Sequence, residues 1–138
     1  MYNATWTIVD DHHHASTVLH MDLTDAVNLM VWAAKGPDGK PGYALWHIFP
    51  PGSVRYLRKF LVEVVGFTGP GDAIHSQQMC MTPTLLDQFY DEYKIRPYTI
   101  LQRPGEAVYI PAGCPHQVDH KPIIPTHARS DLHTYILI

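Results

Sequence analysis

Apolar residues in this chain come in short runs separated by Gly, Pro and polar clusters, and two spacings can be told apart. The stretches 3–9 (NATWTIV), 17–22 (TVLHMD), 26–33 (AVNLMVWA), 43–49 (YALWHIF), 98–102 (YTILQ) and 107–110 (AVYI) are rich in β-branched and aromatic residues and predict strands. Turn chemistry bounds them: KGPDGKPG at 35–42, Pro50-Pro51, and RPGE at 103–106. Two other stretches follow the helical spacing. Over 53–65, Val54, Leu57, Phe60, Leu61 and Val64 make one apolar stripe, with Ser53 as the expected N-cap and Gly66 as the expected stop. Thr82-Pro83 supplies an N-cap followed by a first-turn proline, which predicts a second helix to about Tyr93 with Leu85, Leu86, Phe89, Tyr90 and Tyr93 on one side. Residues 67–79 are expected to be loop. So are residues 10–15, where three adjacent histidines (His12, His13, His14) cannot all face one ion from an extended segment.

Composition narrows the class. A chain of 138 residues is one domain's worth, long enough to bury a real core, and 46% hydrophobic content is ordinary for a globule. Twelve prolines and nine glycines fit the many turns of an all-β core. A net charge of −3 argues against a dedicated nucleic-acid binder, which would carry a basic stripe, though not against a small basic peptide as substrate. Cys80 and Cys114 make no disulfide framework, so a reducing compartment is expected. No apolar run reaches the length of a membrane span, and the N-terminus does not read as a secretion signal.

The chemistry sits at the end of the strand predicted over 17–22. In an extended strand residues two apart share a face, so His20 and Asp22 can close on one ion, the imidazole giving nitrogen and the carboxylate oxygen. That pair is two thirds of the two-histidine, one-carboxylate set that holds non-haem Fe(II). With ten histidines in the chain, a chance His-x-Asp at a strand edge is the competing explanation. A further histidine, His116, follows the tight Pro111–Pro115 corner where the chain re-enters a sheet, and could serve as another ligand. Asn28 is the one polar residue inside 26–33. Its amide needs either a cross-strand partner or a ligand in the barrel.

Together, LHMDLTDAVNLMVW, YALWHIF, the two helices and YTILQRPGEAVYIPAGCPHQV resemble the JmjC domain, in particular the hairless-related branch of histone demethylases that act on lysine nine of histone H3. The resemblance runs in the family's order over residues 1–118. It implies a mostly-β fold, a double-stranded β-helix of the jelly-roll and cupin type with two inserted helices. It further implies Fe(II) held by His20, Asp22 and His116, with 2-oxoglutarate as cosubstrate bound near Thr17 and Asn28. The implied activity is oxidative removal of N-methyl groups from lysine, consuming oxygen and releasing formaldehyde. The implied substrate is a methylated histone tail, with chromatin-associated proteins as further partners and the nucleus as the location. Two departures stand out. Ala44 occupies the position where several branches place a lysine for the far carboxylate of 2-oxoglutarate, leaving Lys35 or Lys40 as candidates to reach in from the loop. Residues 119–138 form a divergent tail without the family's closing strands, so the chain reads as a truncated core with its C-terminal closure in doubt and at most one short strand near 134–138. A protein hydroxylase of the same family, and a non-catalytic JmjC-like chromatin protein, are the alternatives.

Overall fold

The computed structural model describes residues 17–36, 38–121 and 132–137. The strand expected over 3–9 and the histidine triplet lie outside the described residues. Among the described residues, seven strands and two α-helices follow in the order β1 (Thr17–His20), β2 (Ala26–Ala33), β3 (Tyr43–Ile48), α1 (Val54–Glu63), α2 (Pro83–Tyr93), β4 (Tyr98–Gln102), β5 (Ala107–Ile110), β6 (His116–Lys121) and β7 (Leu132–Leu137). The strands form two antiparallel sheets, β1-β6-β3-β4 and β5-β2-β7. This is the mostly-β, jelly-roll-type architecture expected. No helix among the described residues is long and apolar enough to cross a membrane.

Alternation along the strands divides the described residues between two cores. One lies between the sheets: Ala26, Met30, Ala33, Val108 and Ile110 from the three-stranded sheet meet Ala44, Trp46, Ile48 and Val118 from the four-stranded one. The other lies on the opposite face of the four-stranded sheet, where Leu19 and Phe49 are covered by Leu57, Phe60 and Leu61 of α1 and Phe89 of α2. Phe89 is its centre, with ring centroids 5.9 Å from Phe49, 5.3 Å from Phe60 and 5.1 Å from Tyr93. Gln117, also on that face, donates to the Met81 carbonyl and accepts from the Met81 N–H, both at 2.8 Å, and so pins the segment before α2 to β6. Arg58 of α1 pairs with Asp72, whose carboxylate also accepts from the Ile74 and His75 N–H groups, ordering the long inter-helix loop.

Several local expectations need correction. Ser53 makes no side-chain cap. A 3-10 turn over Pro51–Ser53 runs straight into α1, placing Ser53 at helical φ and ψ, and its hydroxyl donates back to the Pro50 carbonyl at 2.6 Å. Thr82 does cap α2, accepting from the Leu85 N–H at 3.3 Å. β1 stops at His20, so Asp22 sits in the β1–β2 loop rather than in the strand. The tail contributes one short strand, β7, at the place expected of it, and it pairs with β2 from Val27↔Leu137 to Ala33↔Leu132, while β6 runs through residue 118 to Lys121.

Candidate metal centre

His20, Asp22 and His116 come together. A ligand atom from each lies within 4.8 Å of the others: His20 Nε2 is 3.9 Å from one Asp22 carboxylate oxygen, and His116 Nε2 is 3.8 Å from the other. The topology explains why. β1 pairs with β6 with His20 directly opposite His116, and residues opposite one another in an antiparallel pair present their side chains on the same face. The two imidazole centroids are 4.2 Å apart. Asp22 is delivered by the loop just past β1. Its carbonyl accepts from the Gly113 N–H at 3.0 Å, tying that loop to the corner before His116. Gly113 has φ +73°, which a glycine adopts without strain, and the corner closes with the Cys114 N–H donating to Pro111 at 3.2 Å.

Both histidines are set in one tautomer. His20 Nδ1 is 2.9 Å from the Val18 carbonyl and His116 Nδ1 is 3.0 Å from the Cys114 carbonyl. A carbonyl only accepts, so each Nδ1 carries the hydrogen and each Nε2 keeps a lone pair facing the cluster, the usual way a protein presents imidazole to a metal. His116 is buried, and burial chiefly pushes its pKa below the ordinary histidine value. The neighbouring His20 acts in the same direction, against the opposing pull of the Cys114 carbonyl and Asp22. The neutral form favoured by burial is the one that ligates. Trp46 stacks behind His116 at 6.0 Å and 26°.

Thr17 lies three residues before His20, a spacing that in a regular strand puts the two on opposite faces. A bulge removes the conflict. Thr17 pairs with Val118 and His20 with His116, so β1 uses one more residue than β6 here, and Thr17 shares the inward face of Val118. Asn28 is buried on the inward face of β2, and its partner is Gln102 across the barrel. Gln102 Nε2 lies 3.1 Å from Asn28 Oδ1, 3.0 Å from the Asn28 carbonyl and 3.0 Å from the Glu106 carbonyl, while its Oε1 accepts from the Trp46 indole at 2.8 Å. A polar relay therefore runs from Asn28 through Gln102 to the ring behind His116. Sequence reasoning missed Gln102. The available signal was a lone amide closing the run YTILQ in step with inward Ile100.

Ala44 is fully buried on the inward face of β3. Lys35 and Lys40 are exposed on a short loop held by a Lys35–Pro41 bridge, and the Lys40 ammonium lies 3.9 Å from Asp38.

Comparison with known proteins agrees with this geometry. The family described as "JmjC domain, hydroxylase" matches residues 6–120. Lysine-specific demethylase 3A of Rattus norvegicus is 35% identical over 153 aligned positions, covering 86% of this chain and 12% of that protein. Lysine-specific demethylase 3 of Drosophila melanogaster is 31% identical over 156 positions, covering 87% of this chain and 18% of that protein. Lysine-specific demethylase JMJ27 of Arabidopsis thaliana is 37% identical over 89 positions, covering 58% and 11%. The 153 positions exceed the 138 residues of this chain, so the rat protein carries residues inside the aligned region that are lacking here. The chain spans less than a fifth of the length of each of these relatives. By the family match over most of its length, and by relatives of over 30% identity across more than four fifths of it, this chain belongs to the JmjC domain family.

Proposed function

We propose that this chain is the core of an Fe(II)- and 2-oxoglutarate-dependent dioxygenase that demethylates N-methyl-lysine in a histone tail, in the nucleus. The observation that carries the proposal is the convergence of His20 Nε2, His116 Nε2 and the Asp22 carboxylate, with both Nδ1 atoms tied to backbone carbonyls. Two neutral nitrogens and one anionic oxygen suit Fe(II) and leave room for exchangeable ligands. Iron held there would supply the activation of oxygen against 2-oxoglutarate. The net reaction balances: one oxygen atom enters succinate as carbon dioxide leaves, and the other enters the N-methyl group. The resulting carbinolamine splits into formaldehyde and the N–H amine.

The protein's own part is orientation. His20, Asp22 and His116 would hold the metal, and Asp22 would offset part of its charge. Thr17 and Asn28 are proposed to contact 2-oxoglutarate. The β1 bulge supports Thr17 by placing it on the inward face, and the Gln102 bond supports Asn28 by fixing its amide.

Incubating the purified chain with Fe(II), 2-oxoglutarate and histone H3 peptides methylated at lysine nine is expected to yield succinate and formaldehyde in equal amounts. Succinate with oxygen retained on the peptide and no formaldehyde would instead assign the hydroxylase activity. Neither product would assign a non-catalytic chromatin protein.

A further inference from the structure

Asp25 is the second aspartate of the β1–β2 loop, three residues beyond Asp22, and it is solvent-exposed. An exposed aspartate is ordinarily a solvated charge. This one is engaged: its Oδ1 accepts from the Ala112 N–H at 2.7 Å, and the Tyr109 phenol of β5 lies beside it. The Ala112 N–H is the leading reason its carboxyl titrates below the usual range.

The location of these partners gives the contact its meaning. Ala112 lies in the Pro111–Cys114 corner, and the Cys114 carbonyl fixes the His116 ring. The same corner reaches back to the metal loop a second time, through the Gly113 N–H on the Asp22 carbonyl at 3.0 Å. Two adjacent N–H groups of one corner thus grip two points of one loop, on either side of Leu23 and Thr24. Met21 packs on the helix-covered core at the start of that loop, but Leu23 is 85% exposed, so apolar packing does not hold the segment between Asp22 and Asp25. The loop carries Asp22, and the corner leads to His116.

We propose that Asp25 is a positioning residue for the metal centre, a latch whose carboxylate ties the loop carrying Asp22 to the corner that delivers His116 and so sets the spacing between those two ligands. This rests on the metal site proposed above. The latch does not touch the ion. It acts as hydrogen-bonded supports of metal ligands generally do, and loss of such support typically weakens metal binding about 10- to 100-fold.

Titration of the metal-free full chain with Co(II), followed by its visible d–d bands, tests the latch. Asp25→Ala is expected to weaken Co(II) binding by about tenfold or more and to change the bands, because the ligand geometry loosens. Asp25→Asn keeps an oxygen acceptor for the Ala112 N–H and is expected to restore the wild-type bands and most of the affinity. Wild-type affinity in Asp25→Ala would overturn the latch. So would an Asp25→Asn variant as weak as Asp25→Ala, since charge rather than the bond would then carry the effect. Should Asp25→Ala fail to fold, Asp25→Glu takes its place. It keeps the charge but moves the oxygens by one methylene, so loosened binding is expected and unchanged binding and bands overturn the proposal. Failure of the underlying site looks different: the wild type itself would show no ligand-field bands from Co(II).

Discussion

Replacing Asp22 with alanine is expected to weaken Fe(II) binding by at least about a hundredfold and to end 2-oxoglutarate turnover, while the fold survives. Removing a mere outer-shell support costs about 10- to 100-fold in affinity, and Asp22 is proposed as a ligand itself. It is also the anionic member of the cluster, so its loss removes charge compensation together with a bond. The carboxylate is 40% exposed, and its contacts with His20 and His116 are at 3.9 and 3.8 Å, beyond hydrogen-bond length. Alanine there opens no apolar cavity, and the loop keeps its Gly113 bond because that bond uses the Asp22 backbone. The metal-free variant should therefore unfold within about 1 kcal/mol of wild type. Iron titration, succinate release and urea denaturation on the two proteins check all three parts. Undiminished succinate release from the variant would remove Asp22 from the site.

Phe89→Ala is expected to have the largest effect on stability, about 3–5 kcal/mol. Phe89 is fully buried and meets Phe49, Phe60 and Tyr93 at once, so truncation leaves a cavity bordered by both helices and the sheet. A domain of this size has roughly 5–15 kcal/mol in total, so the variant should lie close to its unfolding threshold. Function should suffer with stability, because the same core covers Leu19, the residue next to His20. Urea denaturation measures the change. A loss under about 1 kcal/mol would mean that the helices are not packed through this ring.

Much of this structure could be read from the chain because the informative signals are local. β2, β4 and β5 coincide with the apolar runs 26–33, 98–102 and 107–110, each bounded by turn residues, and α2 begins where Thr82-Pro83 placed it. His20-x-Asp22 and the corner before His116 were legible for the same reason, and the family resemblance joined them. What escaped depends on partners distant in sequence. The β1 bulge that turns Thr17 inward exists only in the pairing with β6. Asp22 leaves the strand because a loop some ninety positions away, at Gly113, holds its carbonyl. Gln102 and Gln117 look like surface amides in the sequence, and only the assembled sheets bury them against acceptors. The exposed Lys40–Asp38 pair likewise forms only once the 35–42 loop is folded.

The central claim is that one metal ion sits among His20, Asp22 and His116, and anomalous diffraction from crystals grown with Fe(II) or Mn(II) tests it most directly. The account predicts a single anomalous peak within about 2.0–2.3 Å of His20 Nε2, His116 Nε2 and one Asp22 oxygen. A crystal whose metal peaks all lie elsewhere, with these three side chains turned away from one another, would contradict it.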